Sequence, residues 1–263
     1  MTELKFSCTI CGRCCHDTAV PLTIDEAISW LAGDGTVGLY VEADPWPVEP
    51  HAGDLHAAHR KRRSFQAPCG SSNARITVIL VASFTGPCKN LGSDMRCRIY
   101  KTRPLVCAIY PTEINPFIQL EAANKQCPPD AWGVGDTILK DGKVADAILQ
   151  ALVEKSKQTD QDDAPFKSLL CSQLNIDIAA IAGEGFTAYE PDPKHLLAAL
   201  RHARAADPAT LPLAKPWIFY SKVPEQIQSL ASQGFEITRE KRPGDAYTFL
   251  WAPARKVLEP EPI

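Results

Sequence analysis

Nine of the ten cysteines in this 263-residue chain stand before residue 128, and four of them crowd into Cys8-Thr-Ile-Cys-Gly-Arg-Cys-Cys15. A chain of this length buries a sizeable core without covalent staples. Disulfide density belongs to small secreted domains, and the first residues, MTELKFSC, lack a basic segment followed by an apolar core. Metal or redox chemistry in a cytoplasmic protein is therefore the expectation. The longest apolar run, Ile76 to Phe84, is too short to cross a bilayer. A net charge of −3 argues against a general nucleic-acid binder.

The spacing carries the chemistry. In C-x2-C a tight turn brings two thiolates to one ion at about 2.3 Å, and both Cys8/Cys11 and Cys11/Cys14 have that spacing. Zinc and iron–sulfur clusters both use it. Cys14 and Cys15 are adjacent, with Cα atoms about 3.8 Å apart and side chains that diverge. Such a pair spans two metals, forms one edge of a cluster, or divides into a ligand and a free thiol. The first half continues with Cys69, Cys88, Cys97, Cys107 and Cys127. Two quartets of thiols exceed what one zinc ion needs, so a polynuclear centre or two nearby metals fits better.

Charge agrees with this. Between Lys89 and Arg103 stand Lys89, Arg96, Arg98, Lys101 and Arg103 against Asp94 alone, and Arg13 lies inside the first motif. Cations stabilise deprotonated thiols and the negative complex they form with a metal. The alternative is a solvated basic loop, which is also the reading for His59-Arg-Lys-Arg-Arg63.

The stretch CRIYKTRPLVCAIYP (Cys97 to Pro111), preceded by Gly86-Pro87-Cys88 and by C-x2-C-x2-CC, resembles the CxxCxxCC cysteine-cluster proteins of the YkgJ type. These are described as zinc- or iron-chelating domains and include the flagellin lysine N-methylases. The resemblance covers about residues 5 to 130. It implies Cys8, Cys11, Cys14, Cys15, Cys88, Cys97, Cys107 and Cys127 as metal ligands and leaves Cys69 and Cys171 as ordinary buried thiols. It departs at Ala108, where members commonly have arginine. Arg96, Arg103 and Tyr110 are the cofactor-binding candidates. Arg103-Pro104 predicts a short helix beginning at Pro104, carrying Cys107 inward and ending at Tyr110-Pro111. Tyr100 and Tyr110 either pack around the centre and donate hydrogen bonds or are plain core tyrosines.

Elsewhere, Thr23 with Glu26 spells a capping box for a helix to about Leu31. Residues 42 to 75 read as irregular, with His51, His56 and His59 in a mobile loop, and Ile76 to Ser83 as a buried strand. A helix is expected over 144–157, a linker over 158–165, and helices around 168–182 and 194–206. The tail reads as a strand (217–221), a helix (223–233) and a hairpin (235–251) turning at Arg242 to Asp245. Gly33-Asp-Gly-Thr-Val-Gly38 follows a helix, unlike a dinucleotide fingerprint, and reads as a helix stop and turn. His16 is a ligand, a proton donor or a surface histidine. No catalytic residue stands out.

The expected fold is α+β. A cysteine-rich, metal-centred N-terminal domain (1–130) with short helices and few strands precedes an accessory helical and β-α-β-β region (131–263). The expected function is a metal-binding cysteine-cluster protein carrying an iron–sulfur cluster, preferred over zinc, or a polynuclear iron/zinc thiolate centre in redox or metal-dependent chemistry. A lysine N-methylase-like enzyme would need S-adenosylmethionine and a protein or peptide substrate. A structural zinc-binding interaction module is the third reading. Metal ions are the expected partners, with no nucleic acid and no membrane.

Overall fold

Residues 3–251 are described by a computed structural model of the chain. The order begins β1 (Glu3–Phe6), β2 (His16–Leu22), α1 (Ile24–Ala32), β3 (Gly38–Pro45), α2 (Leu55–Arg63), β4 (Ser64–Cys69) and β5 (Ser72–Pro87). It continues α3 (Leu105–Ile109), β6 (Asp136–Lys140), β7 (Lys143–Val144), α4 (Ala147–Gln173), β8 (Ile178–Ile181) and β9 (Gly185–Tyr189). It ends α5 (Pro193–Ala205), β10 (Ile218–Tyr220), α6 (Pro224–Ser232), β11 (Ile237–Thr238) and β12 (Tyr247–Trp251). The fold is α+β. The described residues divide into two units, 3–22 with 83–159 and 23–82 with 160–251. Among the described residues no helix is long and apolar enough to cross a membrane.

The second unit is built on a mixed sheet with strand order β11-β10-β8-β3-β5; β4 adds to β5, and β9 joins β3 to β12. The ITVIL run supplies its middle: Ile76, Val78 and Leu80 on β5 are buried opposite Ala43, Val41 and Leu39 of β3. Thr23 caps α1 as expected, its hydroxyl accepting the Glu26 N–H while Glu26 accepts the Thr23 N–H. Ala27, Trp30 and Leu31 of α1 are buried where the helix meets α5, which contributes Leu196, Ala199 and Leu200. Gly33 then stops the helix and Gly38 opens β3, so the G-x-G-x-x-G is a turn between a helix and a strand.

Several expectations are corrected in this unit. Residues 42–75 are not irregular. Asp54 caps α2 by accepting the Ala57 N–H at 2.8 Å, and HRKRR is the end of that helix rather than a loop. Its cations are engaged: Arg60 with Asp44 at 3.4 Å, Lys61 with Glu49, Arg63 with Asp160 at 3.4 Å. His56 and His59 are thus helical, not in a mobile loop. Residues 158–165 are helix rather than linker, and α4 runs on through Pro165 because Ala164 before it and Phe166 and Leu170 beyond it are buried. Asp163 adds an anchor there, accepting the Ile24 N–H at 2.8 Å. The helix ends at Gln173, and the rest of the expected 168–182 helix is a turn followed by the fully buried strand β8. The terminal hairpin does not form: β11 pairs with β10 in parallel, while β12 pairs antiparallel with β9. Aromatic packing selects that partner, since Tyr247 sits between Tyr189 and Tyr220 at centroid distances of 5.6 and 5.4 Å.

The first unit has less regular structure. β1, β6 and β7 form a small antiparallel sheet. Its buried apolar side chains among the described residues are Val20, Leu22, Pro104, Ile109, Pro111, Ala131, Ile138 and Val153. The other segments of this unit carry the cysteines.

Candidate metal centre

The first thiol segment is shaped by its backbone. Ile10 and Gly12 both adopt left-handed φ angles, 57° and 69°. A Cβ at Gly12 would meet only the flexible end of Met95, at 2.5 Å, so it is the left-handed conformation that calls for glycine there. A 3-10 turn follows over Arg13–Cys15, and the Cys15 N–H donates to the Gly12 carbonyl at 2.9 Å. His16 Nδ1 donates to the same carbonyl at 3.0 Å, so that nitrogen fastens the turn.

Two further segments meet this one. The Cys88 N–H donates to the Cys15 carbonyl at 2.7 Å, and the Leu91 N–H to the Cys88 carbonyl at 2.9 Å. Leu91 is bridged to Cys97. The Asn90 N–H points at Cys88 Sγ at 3.5 Å, the kind of N–H···S contact that favours thiolate. Cys107 lies on α3, which packs against β2, the strand that begins next to Cys15. Pro104 caps α3 and Tyr110 ends it as predicted, but Cys107 is exposed rather than carried inward. Five residues form a helix too short to bury both faces, and Ile109 is the side it buries.

The third segment reaches the motif from its other end. The Ser7 N–H donates to the Ala131 carbonyl at 2.9 Å, and the Gly133 N–H to the Lys5 carbonyl at 3.0 Å. Phe6 and Trp132 pair, with ring centroids 5.0 Å apart. These bonds hold Cys8 beside the chain that follows Cys127. The Gln126 N–H donates to Tyr110 Oη at 2.9 Å, and the Tyr110 hydroxyl donates to Cys127 Sγ. Burial raises the Tyr110 pKa, with Cys127 and Cys14 adding to it, which keeps that donor protonated.

The vicinal pair is electrically unequal. Cys14 donates its S–H to Cys15, and this bond with burial holds Cys14 well above the usual thiol range. The same bond lowers Cys15 despite its burial and the neighbouring Cys88, Cys107 and Cys97. Burial raises Cys127 while the Tyr110 hydrogen bond pulls it down, and its charged neighbours are Cys14, Cys11 and Cys8. Burial likewise raises Cys88, with Cys97 beside it.

The cofactor-binding candidates take different places. Arg96 is exposed on a tight loop, its carbonyl accepting the Gly92 N–H at 2.8 Å. Arg103 stacks on Tyr100, 3.7 Å from the ring centroid, donates to the Tyr100 carbonyl at 3.1 Å and lowers Cys14 electrostatically. Tyr110 is the one bonded to a thiol. A 410 Å³ cleft, which the sequence did not signal, opens beside Cys127 and is lined by Ala122, Ala123, Lys125, Cys127, Pro129 and Trp132. Nor did the sequence single out Trp132, although a tryptophan next to the Gly133-Val-Gly135 turn was a readable cue for a docked segment.

All eight candidate ligands lie in the first unit, exposed or half-buried, whereas Cys69 and Cys171 are buried in the second. Burial pushes those two thiols up to about 11 and about 12. Residues 7–128 match the family profile described as "CxxCxxCC: Putative zinc- or iron-chelating domain". Over that stretch the chain is similar to CxxCxxCC domains. The match spans a little under half of the chain and supports metal ions as its partners. No curated protein and no solved structure matches the chain. Among the described residues no three His, Cys, Asp or Glu side chains stand as a ready-made metal site. The fit of this stretch to a metal therefore rests on its donors. Eight soft thiols with N–H···S and O–H···S support suit zinc, iron or an iron–sulfur cluster.

Proposed function

We propose that the CxxCxxCC-like stretch of this chain holds an iron–sulfur cluster, or a polynuclear iron/zinc thiolate centre, that serves redox or metal-dependent chemistry. The observation that carries the reading is the segregation of the thiols. Eight accessible ones share the first unit, and the two deeply buried, inert ones lie in the second. Accessible thiols with hydrogen-bonded, partly ionised neighbours are metal ligands or redox groups, while buried ones pack as small hydrophobes. Cys8, Cys11, Cys14, Cys15, Cys88, Cys97, Cys107 and Cys127 would be the ligands, with Tyr110 and Arg103 stabilising the thiolates from outside. The metal supplies electron transfer or Lewis acidity. The cleft against Cys127 favours a working centre over a closed structural one, because structural sites are saturated and shielded.

Anaerobic purification, metal and sulfide analysis and a visible spectrum test this. Iron, acid-labile sulfide and a broad visible absorption are expected. A colourless protein with stoichiometric zinc and no sulfide would overturn the iron–sulfur reading.

A further inference from the structure

Resting on the metal-thiolate reading, we infer that the eight cysteines form two separate four-thiol sites, one of Cys8, Cys11, Cys14 and Cys127, the other of Cys15, Cys88, Cys97 and Cys107, with the chain crossing between them at the Cys14–Cys15 peptide bond.

Backbone geometry carries the division. On one side, the Cys88 N–H to Cys15 carbonyl bond at 2.7 Å ties those two residues together. Leu91, bonded back to Cys88 and bridged to Cys97, folds the third thiol onto them. α3, which carries Cys107, packs against β2, which starts one residue after Cys15. On the other side, the pairing of Lys5 and Ser7 with Gly133 and Ala131 places Cys8 beside Cys127. The left-handed residues Ile10 and Gly12 turn the chain between Cys8, Cys11 and Cys14. Tyr110 closes that set, bonded to Cys127 and close to Cys14.

Adjacent side chains diverge, which makes a vicinal pair a poor chelate for one ion and a natural divider between two. A tetrahedral thiolate site closes at four ligands, and each set has four. The cleft beside Cys127 makes the first site the one open to small molecules.

The test is reconstitution of the full chain with ¹¹³Cd²⁺ under anaerobic conditions, followed by cadmium NMR. Two cadmium resonances in the four-sulfur range are expected. In proton–cadmium correlation, one should couple to the β-protons of Cys8, Cys11, Cys14 and Cys127 and the other to those of Cys15, Cys88, Cys97 and Cys107. One cadmium coupled to both Cys14 and Cys15 overturns the division while leaving the metal-thiolate reading intact. Failure to bind cadmium at all overturns both. Metal content of variants gives a second readout. Cys127→Ala should lose half of the cadmium, Cys8→Ala/Cys127→Ala the same half, and Cys97→Ala/Cys127→Ala nearly all. Equal losses from both double variants would again mean a single centre.

Discussion

The two units reach a folded state by different means. In the second, β3, β5, β8 and β10 are lined by fully buried side chains, and α1 and α5 add theirs from outside the sheet. In the first, which is about two thirds as long, eight apolar side chains are buried among the described residues, two of them in β2. A segment that buries so little apolar surface needs a staple, and thiol-bound metal is the one its residues offer. On the proposed metal-thiolate reading, the second unit owes its stability to packing and the first to coordination.

Metal removal makes the sharpest distinction. Binding that organises a structural thiolate site supplies about 10–16 kcal/mol at neutral pH. Chelation is expected to collapse amide-exchange protection in residues 3–22 and 83–159 while leaving β3, β5 up to Ala82, and β8 protected. Equal loss in both units would refute the contrast, and so would no loss in either.

The converse experiment is a cavity in the second unit. Phe219 is fully buried on β10 and stacks on Phe235 with centroids 5.2 Å apart. Phe219→Ala should cost about 3–5 kcal/mol in urea unfolding followed at the second unit. Bound metal per chain should stay unchanged. Metal loss in this variant would show that the units do not stand apart energetically.

A smaller effect separates the units by pH. His59 is buried on α2, and its Nδ1 accepts a hydrogen bond from Arg62 at 3.0 Å, so the ring is neutral. Burial first, then Arg63 and Arg62, bring its pKa down to about 4 from 6.5. Between those values only the unfolded chain binds the proton, so stability present above pH 6.5 is lost as the pH falls towards 4. After screening, the loss is about 1–2 kcal/mol for the second unit. His59→Asn, which keeps an acceptor for Arg62 but cannot titrate, should flatten stability between those pH values. An unchanged slope would remove His59 as its source.

What could be read in advance follows the same division. The thiol positions were plain because ligand spacing is local chemistry, and so was Thr23–Glu26, where cap and reciprocal partner lie three residues apart. Pro104 and Tyr110 bounded α3 for the same reason. The failures came where a distant partner decided. Asp163 turned an apparent linker into helix by bonding Ile24, 139 residues away. Tyr247 took β12 to β9 instead of to its sequence neighbour β11. HRKRR looked like a solvated loop because Asp44 and Asp160, its ion-pair partners, lie far off in sequence. The pairing of Ser7 with Ala131, which sets Cys8 beside Cys127, had no local signature either.

The smallest expected effect tests the most local of these readings. Thr23 begins the second unit, and its hydroxyl is the acceptor for an N–H at the first turn of α1, the helix that buries Trp30 and Leu31 and packs on α5. Thr23→Ala removes that acceptor and leaves Glu26 with half of a reciprocal pair, at a cost of about 1 kcal/mol. Thr23→Ser keeps the hydroxyl and should recover most of it. Both variants should retain the full metal complement, because no ligand depends on α1. If Thr23→Ala instead lowers metal content, the cap next to β2 is part of the coordination-stabilised unit, and the boundary between the two modes of folding lies further along the chain.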